Sequence, residues 1–192
     1  MPKKIYEGYF LGVAGPDTLL LYDWQRVEKP LHSLNLAAEK LWWNDEGDLL
    51  MVAASEKLWG YRLNKKTFAL TEVLSIPCKV LSGTFCRNTF FYMNSNTKLN
   101  FVINGKSFFY QNYEKKKFIL GLIEAQNRLY FFDRNNHIYS LEIPFSLFHE
   151  LTDYINSSGA KQFSSNIPTE LRDTFAKVLN EFGYHKDAYK LV

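Results

Sequence analysis

Cysteine is scarce in this 192-residue chain, with only Cys78 and Cys86 present. Two thiols cannot build the disulfide framework of a small secreted scaffold, and their separation is wider than a metal-binding pair uses. They are expected to be buried free thiols in a reducing compartment. Long apolar runs are also missing, and nothing approaches the roughly 18 residues that a membrane-spanning helix needs. Met1-Pro2-Lys3-Lys4 leads into a glycine-containing alternating stretch rather than the apolar block of a signal peptide. A soluble, cytosolic protein is the expectation. An excess of one charge is lacking too: 23 basic side chains stand against 20 acidic ones, a net +3. That is too mild for a nucleic-acid partner, which would call for a concentrated basic face. The longest basic run, Lys115-Lys116-Lys117, is bracketed by apolar segments and reads as a solvated loop.

Signatures of chemistry are equally sparse. The ten glycines are single and sit at turns, so no phosphate-cradling loop is present, and no G-x-S-x-G nucleophile elbow occurs. His32, His137, His149 and His185 share no ligand spacing and are expected in loops or on the surface. Asp45, Glu46 and Asp48 cluster, but on a predicted hairpin turn, where acids are ordinary turn formers. A two-carboxylate hydrolase needs a pair held across a pocket. Trp42, Trp43 and Trp59 could make an aromatic recognition face, but inter-blade packing with one ring-edge hydrogen bond is the commoner use. No catalytic, cofactor-binding or metal-binding residue is assigned, no cofactor is implied, no enzyme activity is expected, and no binding residue can be singled out.

Aromatic residues, by contrast, are plentiful: 17% of the chain, with 16 Phe and 12 Tyr. They suit half-buried pleated surfaces. They also recur. Tyr9–Gly15 is followed 40 positions later by Leu49–Ser55, then by Thr89–Ser95 and by Leu129–Asn135. Each run has strand length and ends in a small polar turn, at Gly15-Pro16-Asp17, Ser55-Glu56-Lys57, Ser95-Asn96-Thr97 and Arg134-Asn135-Asn136. A second strand follows each turn, at 18–24, 58–63, 98–103 and 137–143. Further strands are predicted ahead of three hairpins, at 39–44, 78–85 and 118–124, and after two, at 68–74 and 107–113. Four strands per roughly 40 residues is the period of a WD-repeat propeller blade. One such sheet cannot bury both faces alone, and stacking the sheets removes their apolar surface from water. A sandwich of hairpins is the rival all-β arrangement.

The signature residues are worn. Trp43–Leu49 reads as the tight turn between the first two strands of a blade, with Gly47 supplying a positive φ. Tyr22-Asp23 stands where a Trp-Asp pair would fall, Tyr61-Arg62 takes the same place in the next repeat, and no Gly-His pair exists. The hairpin at residues 6–24 has no predicted inner strand before it. About three and a half blades are expected, fewer than the four that a closed ring needs, which suggests a fragment. Its exposed strand edge near residues 6–14 would pair with another copy or recruit the chain's own N-terminal segment.

After Pro144 the pattern turns helical. Leu147, Leu151, Tyr154 and Ile155 share one face of a helix over 146–156, stopped by Ser157-Ser158-Gly159. A linker runs to Asn166. Asn166-Ile167-Pro168-Thr169-Glu170 reads as a helix start with a capping residue and a proline in the first turn. Leu171, Phe175, Val178, Leu179 and Phe182 form the stripe of that helix, with Gly183 as its cap. A third helix begins at His185. Each stripe needs a partner, either the last blade or further helices of an α-solenoid.

Several segments together resemble the coatomer β′ family. Gly8–Val13 and Leu20–Trp24 are similar to its glycine-containing strand and the following strand ending Tyr-Asp-Trp. Lys40–Leu50 is similar to its aromatic-Trp-Ser-Asp-Ser-Gly-Glu-Leu segment. Asn127–Tyr130 and Tyr139-Ser140-Leu141 resemble its last blade, and Ile167-Pro168, Glu170, Arg172 and Phe182-Gly183-Tyr184 its first solenoid helices. No single motif is specific; their common order is. Residues 64–80 are shorter than the family's acidic insertion, and the coatomer α subunit shares the same plan. The resemblance implies that residues 1–144 are the C-terminal part of a WD-repeat β-propeller and that 145–192 begin an α-solenoid. It further implies a non-catalytic subunit of the COPI vesicle coat, cytoplasmic and peripheral on Golgi membranes and COPI-coated vesicles, acting in Golgi-to-ER and intra-Golgi transport. Its partners would be the α and ε coatomer subunits, with an Arf-family GTPase and cargo tails engaged by the whole coat. The alternative from the repeats alone is a stand-alone WD-repeat adaptor for a linear peptide.

Overall fold

The computed structural model describes residues 4–160, 163 and 166–192. The strands of the first sheet are β1 (Lys4–Tyr6), β2 (Leu11–Ala14), β3 (Leu19–Tyr22) and β4 (His32–Leu34). Those of the second are β5 (Lys40–Trp43), β6 (Leu49–Ala54), β7 (Lys57–Asn64) and β8 (Ala69–Pro77). The third holds β9 (Val80–Cys86), β10 (Thr89–Asn94), β11 (Lys98–Ile103) and β12 (Lys106–Asn112), and the fourth β13 (Lys117–Ile123), β14 (Arg128–Asp133) and β15 (Ile138–Glu142). Every sheet is an antiparallel meander in chain order, so the chain finishes one sheet before starting the next. We refer to them as blades 1 to 4.

The repeat read from the sequence is therefore structural. Its clearest mark is the turn between the first two strands of blades 2, 3 and 4. There Gly47, Arg87 and Asn127 take left-handed φ values of 69°, 49° and 53° at 40-residue intervals. Only glycine adopts that conformation without a steric cost, and asparagine tolerates it. The next turn also repeats in blades 3 and 4. Asn94 Oδ1 accepts hydrogen bonds from the backbone N–H of Asn96 and Lys98, and Asp133 Oδ1 accepts from Asn135 and His137.

The core lies between blades rather than within one. Leu19 and Leu21 of blade 1 meet Leu50 and Val52 of blade 2. Met51 and Leu58, on the other face of blade 2, meet Phe90, Tyr92 and Val102 of blade 3. Phe91, Met93 and Phe101, on the far face of blade 3, meet Ile119, Leu129 and Phe131 of blade 4. Serial stacking of this kind excludes the rival sandwich. Each fully buried large side chain contributes on the order of 1.5–3 kcal/mol.

Strand burial shows where the stack stops. β6 is buried along its whole length and β10 nearly so, because both have neighbours on each face. β2 and β14 alternate between buried and half-buried positions, the pattern of a sheet covered on one side.

Among the described residues three helices follow: α1 (Phe145–Asn156), α2 (Thr169–Glu181) and α3 (His185–Tyr189). Phe145 and Phe148 of α1 and Phe175 of α2 join the same core as Phe91 and Phe101 of blade 3. Phe148 is the hub, with ring centroids 5.3 Å from Phe91, 5.1 Å from Phe101 and 5.0 Å from Phe175. The helices thus pack against the outer half of the blade 3 face, whose inner half meets β13. At the end of α2, Gly183 takes a left-handed φ of 85°, as expected of its cap. The start of α2 differs from expectation: Pro168 occupies the cap position outside the helix and makes no side-chain cap bond. The linker expected between Gly159 and Asn166 lies largely outside the described residues.

Candidate functional site

The surfaces left open by the stack are the candidate site, because no catalytic constellation was expected and interaction surfaces are what blades offer. On blade 1, the face turned away from blade 2 carries Ile5, Val13 and Leu20 in one cross-strand row, with Leu11 and Tyr22 beside them. Ile5 is 70% exposed. On blade 4 the free face carries Phe118, Phe132 and Ile138 in one row, with the Phe118 and Phe132 rings stacked at 5.1 Å. Leu120, at a bulge in β13, and Ile123 are exposed nearby. These two faces correspond to the surfaces that inner blades bury.

The edges have a different fate. The hairpin at residues 6–24 does have an inner strand before it: β1 pairs with β2, setting Lys4 opposite Ala14 and Tyr6 opposite Gly12. The edge near residues 6–14 is therefore covered by the chain's own N-terminal segment, one of the two outcomes expected. The short run Lys4–Tyr6 carried no turn signal of its own, which is why it escaped notice. Among the described residues blade 4 has three strands, and β15 pairs only with β14. Beside β15 a cavity of about 520 Å³ opens between Leu141, Tyr110 and the start of α2 at Glu170 and Leu171.

The residues singled out in the sequence are placed as follows. Trp42 packs 5.2 Å from Phe90 between blades 2 and 3, and Trp43 packs edge-on at 5.7 Å from Phe10 between blades 1 and 2. Trp59 is half-buried under the Lys57 ammonium, 3.9 Å from its ring. These three tryptophans are packing residues, but the expected ring-edge hydrogen bond fails at Trp43, whose buried Nε1 has no partner among the described residues. Asp48 lies on the predicted turn. Its carboxylate accepts from Asn44 Nδ2 at 2.7 Å, and the same amide donates to Asn88 of blade 3 at 2.8 Å. The Asn44 carbonyl accepts from the backbone N–H of Asp48 and Leu49, so this buried side chain stitches two blades together.

Lys117 is not loop, as expected of the basic run, but the first residue of β13, with its ammonium 3.4 Å from the Tyr139 ring. Burial lowers its pKa, against the opposing pull of Asp133. Cys78 is half-buried and Cys86 buried, both as free thiols. His137 and His185 are exposed, but His32 departs from the loop-or-surface expectation: it is half-buried on β4, 6.3 Å from Phe10. His149 corrects the surface expectation. It is on α1, where its Nε2 lies 3.4 Å from Cys86 Sγ. Sequence spacing hid that neighbourhood, because 63 residues separate the two. No helix among the described residues is long and apolar enough to cross a membrane.

Residues 1–133 match the family described as "COPA/B second beta-propeller". The human protein named coatomer subunit beta′ is 26% identical over 97% of this chain and 22% of its own length. The Schizosaccharomyces pombe protein named probable coatomer subunit beta′ is 22% identical over 98% of this chain and 26% of its own length. The chain thus spans about a quarter of the length of these curated relatives. Among solved structures, the Cps50 (Swd1) β-propeller domain of Myceliophteria thermophila aligns with a TM-score of 0.60 at 12% identity, covering 74% of this chain and 54% of that one. The computationally designed Ika4 protein aligns with a TM-score of 0.54 at 10% identity, covering 73% of this chain and 91% of that one. The serial meanders, the inter-blade cores and the match over residues 1–133 agree, and the chain belongs to the COPA/B second β-propeller family, as its resemblance to coatomer β′ implied.

Proposed function

We propose that this chain is part of a structural, non-catalytic subunit of the COPI coat, working in Golgi-to-ER and intra-Golgi vesicle transport. The observation that carries the proposal is co-linear similarity to coatomer subunit beta′ across 97% of the chain, blades and helices together. On this proposal residues 1–144 are propeller and 145–192 open an α-solenoid, and the protein acts in the cytoplasm at Golgi membranes. Its direct partners are the α and ε coatomer subunits, and an Arf-family GTPase and cargo tails are engaged by the assembled coat. The test is affinity capture of the full-length protein from its own cells. Recovery of the α and ε subunits in comparable amounts is expected, and their complete absence would overturn the proposal.

The 192-residue chain taken alone is further proposed to self-associate through its open faces. The row Ile5, Val13 and Leu20 at one end and the row Phe118, Phe132 and Ile138 at the other favour this. Light scattering over a concentration series should show mass growth, and a strict monomer at high concentration would exclude it.

A further inference from the structure

Three elements converge on one small cluster. Cys86 ends β9 of blade 3, Glu124 opens a 3₁₀ turn at Glu124–Gln126 after β13 of blade 4, and His149 lies one helical turn into α1. Cys86 Sγ is 3.4 Å from His149 Nε2, the ring nitrogen placed to ligate, while the Glu124 carboxylate, 3.7 Å from Nδ1, would have to turn toward the sulfur to complete the set. One potential ligand atom from each residue lies within 4.8 Å of the other two. Zinc–sulfur and zinc–nitrogen bond lengths, at a tetrahedral angle, put those two ligand atoms about 3.5 Å apart. The observed sulfur–nitrogen separation is close to that value.

We propose that Cys86, Glu124 and His149 form a divalent metal site of the zinc class that ties blade 4 and α1 to blade 3. A soft thiolate with an imidazole and one carboxylate selects zinc over magnesium or calcium, and three protein ligands leave a fourth position for water. Charge favours the ion: thiolate and carboxylate together balance a dication, and Asp45 adds to the negative field. The thiolate is the form that ligates, so the Cys86 proton leaves to solvent as the sulfur–metal bond forms. The neutral His149 ring is the form that ligates. The present partner of Glu124 is Arg87, at 2.7 Å. Both side chains are substantially exposed, so the guanidinium can swing into water and open a path to the buried sulfur.

The site goes beyond the coat role and does not depend on it. Cobalt titration of the purified 192-residue chain tests it. A thiolate-to-cobalt charge-transfer band should appear at about one equivalent, bleach on zinc addition, and survive Cys78→Ser. Cys86→Ser should abolish it. His149→Gln should weaken binding at least about 10-fold, the lower end of what even an outer-shell partner contributes. No band in the parent chain, a band only at large cobalt excess, or an unchanged band in Cys86→Ser would overturn the site. Should Cys86→Ser fail to fold, as shown by circular dichroism, His149→Gln decides, and unchanged cobalt affinity there refutes the proposal.

Discussion

Phe148→Ala is the sharpest perturbation of the helix–blade junction. The side chain is fully buried, with four rings around it: Phe91 and Phe101 from blade 3, Tyr110 from β12 and Phe175 from α2. Truncating a buried phenylalanine costs about 3–5 kcal/mol, more where the surroundings cannot collapse into the space. Here the walls come from four separate elements, β10, β11, β12 and α2, and three of the ring contacts are edge-on pairs of the favourable kind. The expected loss is about 4 kcal/mol, which for a domain of this size lowers Tm by roughly 8–16 °C. Urea unfolding followed by near-ultraviolet circular dichroism measures it, with the half-exposed Phe109→Ala as a control expected to change stability by no more than about 0.5 kcal/mol. A loss below about 1 kcal/mol for Phe148→Ala would mean that α1 does not dock on blade 3.

Asn44→Ala should cost about 2–3 kcal/mol by denaturant titration, because it orphans the buried N–H of Leu49 and the partly buried N–H of Asp48 and cuts the link to Asn88. Gly105→Ala should be worse than Gly183→Ala. Both have left-handed φ, but a Cβ at 105 would sit 2.5 Å from the Val73 carbonyl oxygen, whereas nothing lies within 4 Å at 183. About 1 kcal/mol is expected at 183 from backbone strain alone, and at least about 2 kcal/mol at 105, measured by thermal unfolding. Burial works to raise the Asp133 pKa, but hydrogen bonds from the His137 and Asn135 backbones and the Tyr139 hydroxyl outweigh it and lower the pKa to about 2. A carboxyl held below its unfolded value stabilises the fold above about pH 4, and that contribution is lost as pH falls toward 2. Asp133→Asn should therefore flatten the stability profile in that window and leave its slope near neutrality unchanged.

The blades were legible in the sequence because their hairpins recur at a fixed interval, and a stacked sheet imposes that interval on its apolar runs. What escaped was short or assembled from distant parts. β1 and β4 have three residues each, too few for alternation to register. The spacing picks out Leu147, Leu151, Tyr154 and Ile155 as the helical stripe, yet the deepest contacts of α1 include Phe145 and Phe148. A stripe fixes the buried side of a helix, but only the partner surface decides which of its residues go deepest. That partner is blade 3, which precedes α1 by a whole blade. The cluster of Cys86, Glu124 and His149 was hidden for the same reason: the fold gathers it across three elements that share no local spacing.

The central structural claim is that residues 4–142 form consecutive stacked blades with α1 and α2 seated on blade 3. An experimental density map of the full-length protein tests it most directly. Phe148 should lie enclosed by Phe91, Phe101 and Phe175, with the free faces of blades 1 and 4 pointing away from blades 2 and 3. A map that carries residues 145–192 away from blade 3, or that packs the four sheets as two facing layers, would contradict it.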